Sequence, residues 1–274
     1  MNKVLSANIQ YIAERYAYLL KFNLNNIGQY ISYLSYDNNL IENPEYVYKY
    51  YGRTTNSLNS LKQSYLYFSD PRAFNDPFDC LVNRERYIIA NNENMKRHRD
   101  SLGVCSFSIV NDNPLMWGHY ANCFTGFCIK LKNDFANKQE IAVRSHVAYL
   151  ENYSGINESL NDAVKAVDKM NLSKDEKNTI QVALKFAYLY CWKFADWKYE
   201  KEYRAISTNA LDFKRQLHYK AELVQEIYIG YRMKLNYPNY FKNLKRIIKN
   251  TYPNAITYEV SPHPIKVKLE FERL

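Results

Sequence analysis

At 274 residues and 47% hydrophobic, the chain is long enough to bury a real core in one large domain or in a domain with a smaller attachment. Lys and Arg outnumber Asp and Glu by 37 to 28, a net charge of +9 that favours approach of an anionic partner, nucleic acid foremost. The five cysteines form no C-x-x-C pair and no run has the length of a signal peptide or membrane span, so the expectation is a soluble, reduced, cytoplasmic protein with no membrane partner.

From the start of the chain, Leu5, Ile9, Ile12, Tyr16 and Leu19 fall in a helical rhythm that Leu24, Ile27, Ile31 and Leu34 repeat. This spacing predicts an N-terminal helical hairpin over residues 1–40. The polar run "SYDNNLIENPE" then breaks the pattern and opens a main domain, residues 41–274. Four runs rich in aromatic and branched residues, "YVYKYY", "SYLYFS", "GVCSFS" and "GFCIKL", read as strands. Between the last two, "DNPLMWGHYAN" reads as a short helix capped by Asn113, with Pro114 in its first turn.

The insertion from Ile156 to Phe194 is predicted helical, with Ile156, Leu160, Val164 and Val167 on one stripe and Ser173 with Glu176 as a capping box. Strand signals return in "EKEYRAIS" and "LVQEIYIG", followed by a basic helix from Tyr240 to Lys249 and the alternating run "HPIKVKLEFERL". Strands on both sides of a helical insertion predict an α+β fold with a split or mixed sheet.

Three segments carry candidate chemistry. In "YFSDPRAFNDPFDC", Asn75, Asp76 and Asp79 surround Pro77; this fits a rigid turn, with Phe74 and Phe78 as anchors, and also a loop lining a site. In "MWGHYA", Trp117, Tyr120 and Ala121 share a helix face and His119 is available for proton transfer. Read as a strand, "WKYEKEYRAI" puts Lys198, Glu200, Glu202 and Arg204 on one face, with Tyr199 and Tyr203 on the other. Such a face is either solvated or the wall of a polar cleft.

The histidines are scattered without metal-ligand spacing, although Asp76, Asp79, Glu200 and Glu202 suit Mg²⁺ as hard oxygen ligands, which supports an alternative reading as a metal-dependent nuclease. The seven glycines form neither a phosphate loop nor a dinucleotide fingerprint. Lys242, Lys245, Arg246 and Lys249 make one positive helix face suited to phosphate contacts, opposite the apolar Phe241, Leu244, Ile247 and Ile248. The run "KRHR" at Lys96–Arg99 is a second basic cluster.

Taken in order, "YFSDPRAFNDPFD", "CSFS…NPLMWGHYA…GFCIKL" and "WKYEKEYRAI" resemble a widespread bacterial family known only as a domain of unknown function, from about Tyr46 onward. The order of Lys49 or Arg53, "MWGHYA" and Glu200-x-Glu202 is also similar to that of ADP-ribosyltransferases, which build their site on a split α+β sheet. That likeness implies NAD as co-substrate and Glu202 stabilising the positive charge that develops on ribose. It further implies Glu200 orienting the acceptor, Tyr120 or Trp117 stacking on nicotinamide, and His119, Asp76 and Arg204 around the same cleft. Lys49 or Arg53 would stand at the early basic position, with Arg53 contacting phosphate. The implied partners are a macromolecular acceptor, protein or nucleic acid, and an antitoxin if the chain is a toxin or phage-defence effector. A non-catalytic interaction module is the remaining alternative.

Overall fold

The computed structural model describes residues 4–13, 16–23, 29–34, 40–41, 43–76, 78–80, 100–136, 140–150, 161 and 164–274. Its first elements are strands: β1 (Val4–Ala13), β2 (Tyr16–Asn23), β3 (Gln29–Leu34) and β4 (Leu40–Ile41). The helical hairpin expected over residues 1–40 is therefore incorrect. The apolar residues there satisfy two periods at once, because Leu5, Ala7, Ile9, Tyr11 and Ala13 also alternate with Ser6, Asn8 and Gln10, and a short branched and aromatic segment favours the strand period. β1 to β4 pair antiparallel in sequence order, and β3 then joins β9 in parallel, so these strands continue the main sheet.

The remaining chain alternates strands with few, short helices: β5 (Tyr46–Tyr51), α1 (Thr55–Lys62), β6 (Tyr65–Tyr67), β7 (Gly103–Ser108), α2 (Pro114–Tyr120), β8 (Phe127–Lys132), β9 (Val143–His146) and β10 (Ala148–Leu150). Then follow α3 (Lys174–Tyr190), β11 (Trp192–Phe194), β12 (Glu202–Ser207), β13 (Gln216–His218), β14 (Val224–Gly230), α4 (Arg232–Asn236), α5 (Pro238–Thr251), β15 (Ile256–Pro262) and β16 (Leu269–Arg273). Twelve strands make one mixed sheet, with the order β1-β2-β3-β9-β12-β7-β5-β8-β14-β15-β16 and β4 beside β3. The fold class is α+β, as expected.

Local signals placed several of these elements well. Asn113 caps α2 by accepting from the Leu115 N–H, with Pro114 at the first position. Ser173 and Glu176 exchange the reciprocal bonds of a capping box at the start of α3. Of the stripe predicted before it, Val164 and Val167 lie in a helical stretch at 164–168, while Ile156 and Leu160 fall outside the described residues, as does the Lys96–Arg99 cluster.

Two features of the sheet position the site. Each face of the sheet is covered by different elements: Phe107, Tyr203, Ala205, Ile227 and Ile229 form a core with Leu244 and Ile248 of α5, whereas Tyr50, Cys128 and Tyr228 pack against Met116 and Trp117 of α2. The period-2 alternation of β12 thus sends Glu202 and Arg204 to the face away from α5. The sheet is also split, because β5 and β7 are joined by a single bridge, Tyr48 to Ser108, while each pairs extensively with its other neighbour. In the gap, the Lys49 ammonium donates to the Ser106 carbonyl at 2.9 Å in place of a ladder bond.

Backbones crowd where α2 returns to β8. Asn122, Cys123 and Phe124 all adopt left-handed φ angles of 45°, 53° and 65°, and this turn lies against Gly230, where a Cβ would sit 2.2 Å from the Phe124 carbonyl oxygen. A Cβ on Gly126 would meet the Tyr51 carbonyl oxygen at 2.1 Å. We expect Gly126→Ala and Gly230→Ala each to lower stability by about 1–3 kcal/mol through overpacking. Gly118→Ala, whose added atom meets nothing within 4 Å, should leave the thermal midpoint unchanged or slightly raised.

Candidate active site

The cleft lies at the split of the sheet and has a cavity volume of about 200 Å³. Its polar wall is a buried charge cluster drawn from four separate segments. Arg204, fully buried on β12, forms two forked pairs. Its Nη1 and Nη2 donate to Asp79 at 2.8 and 2.7 Å, and its Nε and Nη2 donate to Glu202 at 2.7 and 2.9 Å. The remaining Nη1 hydrogen reaches the Tyr190 carbonyl at 2.6 Å. All five guanidinium donors are thereby engaged.

Lys193 on β11 links this fork to the next carboxylate. Its ammonium lies 2.6 Å from Glu200 and 3.5 Å from Glu202, over the Trp197 ring at 4.7 Å. Glu200 also accepts from the Tyr120 hydroxyl of α2. The residues of "WKYEKEYRAI" meet here by a route other than a continuous strand: Ala195–Glu200 is a 3-10 segment, and Lys201 takes a left-handed conformation (φ 43°, ψ 53°) before β12 begins. Lys198 is exposed, whereas Glu200, Glu202 and Arg204 are 3%, 4% and 0% exposed. The face is buried, which settles the choice against a solvated strand.

Three carboxylates facing two cations leave one formal negative charge in a desiccated cluster, and the strain falls unequally. Burial opposes ionisation of Glu202, but Arg204 and Lys193 outweigh it and hold its carboxyl down at about 2. Burial and the neighbouring Glu202 charge raise the Glu200 carboxyl, with Lys193 only partly compensating. Burial, then the Glu200 charge, pushes the Tyr120 hydroxyl up. Lys193 loses hydration, yet Glu202, Glu200 and Asp79 keep it firmly protonated. The site therefore presents a carboxylate that stays ionised below the ordinary carboxyl range beside one that holds a proton more readily.

Sequence-predicted site residues divide into those in the cleft and those elsewhere. Lys49, Tyr120, Glu200, Glu202 and Arg204 line it. Asp76 does not: its Oδ1 accepts from the Phe78 N–H at 2.8 Å, which makes it a turn residue. Phe74 lines the cleft beside the Arg204 guanidinium and is half-buried, whereas Phe78 is exposed, so neither expected anchor is sealed in the core. Trp117 is wholly buried, stacked on Phe124 with its Nε1 donating to the Asn111 carbonyl, and so holds α2 in place. His119 is exposed beside Tyr120 and Tyr199. Arg53 lies outside the cleft lining, its guanidinium 3.4 Å over the Tyr237 ring.

Lys193 was missed by sequence reasoning. The available signal is "YCWKFA", a lone charge among aromatic and apolar residues, which marks an inward-pointing cation in need of a partner. Asp79 is expected from the sequence as a turn or site-loop residue and as a magnesium ligand, but its partner Arg204 stands 125 positions away in sequence. Among the described residues, no group of three or more His, Cys, Asp and Glu is arranged to hold a metal ion, and no helix is long and apolar enough to cross a membrane.

A family model described as a protein of unknown function (DUF2971) matches residues 116–205, from α2 through β12. The similarity thus spans Tyr120, Lys193, Glu200, Glu202 and Arg204 but not Asp79 or Lys49, and is shorter than the resemblance expected from Tyr46 onward. No curated protein and no solved structure matches the chain.

Removing Arg204 leaves Asp79 and Glu202 buried without their partner, so Arg204→Met should cost about 3–5 kcal/mol in urea unfolding. Arg204→Lys should recover little of it, since an ammonium cannot form both forks. Because the Glu202 carboxyl is lowered from 4.5 to about 2, its contribution to stability is full above the ordinary carboxyl range. That contribution is lost as pH falls from about 4.5 toward about 2, and Glu202→Gln should flatten this acid limb. Lys201→Gly relieves a left-handed non-glycine residue and should stabilise by up to about 1 kcal/mol.

Proposed function

We propose that the cleft transfers ADP-ribose from NAD to a macromolecular acceptor. The observation that carries this reading is the opposed protonation behaviour of Glu202 and Glu200, adjacent to one another at the split of the sheet. Transfer from NAD breaks the bond between ribose C1′ and the nicotinamide nitrogen, and the electron pair leaves with nicotinamide. The acceptor heteroatom bonds to C1′ and gives up its proton. Glu202, held ionised by Arg204, supplies fixed negative charge near the cationic ribose. Glu200, whose carboxyl is the more basic of the two, takes the acceptor proton.

A cavity of about 200 Å³ is smaller than the roughly 300–1,000 Å³ that encloses a drug-sized ligand. It suits the nicotinamide riboside end of the co-substrate, leaving the adenosine half in the open mouth. Tyr48, Phe74 and Tyr120 offer ring surface there, and Lys49 is the cation within reach of a diphosphate. Trp117 has no role in stacking, being sealed in the core. In this reading Arg204 positions Glu202 and Asp79 and does not touch NAD. A magnesium-dependent nuclease has less support, since both oxygens of Asp79 and of Glu202 already accept hydrogen bonds from Arg204, with Lys193 alongside.

The test is nicotinamide release from NAD, with and without cell extract as a source of acceptors, by the parent and by Glu200→Gln and Glu202→Gln. Loss of one such electrostatic contact costs on the order of 10²–10³ in rate, so each variant should fall by about that factor. Glu200→Gln should do so with an unchanged thermal midpoint. Absence of NAD turnover, combined with nucleic-acid cleavage that EDTA abolishes, would transfer the site to the nuclease reading. Absence of both would leave a non-catalytic interaction module.

A further inference from the structure

A second concave surface lies on the other side of the sheet. Thr55, Asn59 and Lys62 project from one face of α1 at helical spacing, and Asn243, Arg246 and Asn250 do the same from α5, enclosing a groove of about 620 Å³. The two helices run side by side in the same direction: the Tyr240 hydroxyl donates to the Thr54 carbonyl near their starts, and the Tyr252 hydroxyl to the Leu61 carbonyl near their ends. Leu58 and Ile247 are the apolar part of the lining.

The groove is free of acid for a reason legible in the sequence. No Asp or Glu occurs in residues 46–69, which contain α1, or in residues 227–258, which contain α5. Among the described residues, none of Lys62, Lys242, Lys245, Arg246 and Lys249 pairs with a carboxylate. Their positive potential is therefore unopposed locally, and Lys62, Lys242, Arg246 and Lys249 are all exposed. Amides and hydroxyls interleave with these cations, the same side-chain set that contacts phosphate and sugar in nucleic-acid complexes. Among the described residues no aromatic lines the groove, so they offer no platform on which splayed bases stack, as single-strand binding requires.

We infer that the groove between α1 and α5 binds the sugar–phosphate backbone of a duplex nucleic acid. The inference is independent of NAD chemistry, because it concerns a different surface and a binding equilibrium. Lys62 and Arg246 contact phosphates from opposite walls, and Asn59, Asn243 and Asn250 donate between them. Binding of this kind is governed by counterion release, so affinity falls linearly with salt on logarithmic axes.

The test is fluorescence anisotropy with labelled mixed-sequence duplex DNA and RNA across a salt series, using the full chain. The parent should bind with a negative salt slope. Lys62→Gln combined with Arg246→Gln should flatten the slope on duplex DNA by about 0.9 for each phosphate contact removed, and Asn59→Asp should weaken binding at every salt concentration. Lys266→Gln with Lys268→Gln, in the hairpin between β15 and β16, should match the parent. Should a groove variant melt lower than the parent, the exposed pair Lys242→Gln and Lys249→Gln repeats the measurement. The inference is overturned if the parent shows no salt-dependent binding or if the groove variants keep the parent slope. It is equally overturned if single strands bind more tightly than duplex, or if polyglutamate competes as well as duplex at equal charge.

Discussion

The Arg204 guanidinium is the interaction on which the site depends. It is buried completely, and its two forks tie Asp79, from the loop after β6, to Glu202 on its own strand. Transferring a single charge out of water costs several kcal/mol, so a group in this position persists only when its donors are all matched. The match here is complete, and it uses a planar donor that delivers paired bonds in fixed directions. Asp79, Tyr190 and Glu202 must all be in place before the arginine can be buried, which makes the cleft wall a product of the whole fold.

Charge arithmetic then shapes the chemistry. Arg204 and Lys193 offset two of three carboxylate charges, and the cost of ionising the third falls on the member with the weakest support. That member is Glu200, which shares Lys193 with Glu202 and otherwise has only the Tyr120 hydroxyl. Its raised carboxyl and the depressed one of Glu202 are two consequences of one arrangement. A structural ion network would also perturb its members; what distinguishes this one is its place on the wall of an open cleft at a discontinuity in the sheet.

Elements with local determinants were legible in the sequence. Asn113 with Pro114, Ser173 with Glu176, and the apolar stripe of α5 each state their structure within a few residues. The strands over 4–13, 16–23 and 29–34 are hard to tell from helix in the sequence because Leu5 and Ile9 belong to an alternating set as well as to a helical one, and pairing with β9 resolves the choice only in three dimensions. The candidate site was legible in part. Glu200, Glu202, Arg204 and Tyr120 were found by residue type, but the left-handed Lys201 that turns Glu200 inward carries no glycine to announce it. Lys193 and Asp79 join through contacts that no local pattern encodes.

The two surfaces stand in a definite relation. Tyr203 and Ala205 point into the core beneath α5, and Glu202 and Arg204, alternating with them, point to the cleft. A duplex seated between α1 and α5 is thus separated from Glu200 by the thickness of the sheet. On the proposed reading of the cleft, phosphates held in the groove would be out of reach of the ribose, so the groove would not be the acceptor pocket of the same protein molecule. On the proposed reading of the groove, its effect would be to concentrate the protein on nucleic acid. If the two proposals both hold, the acceptors offered to the cleft are groups that share that location, whether a neighbouring protein or a distant part of the same nucleic acid.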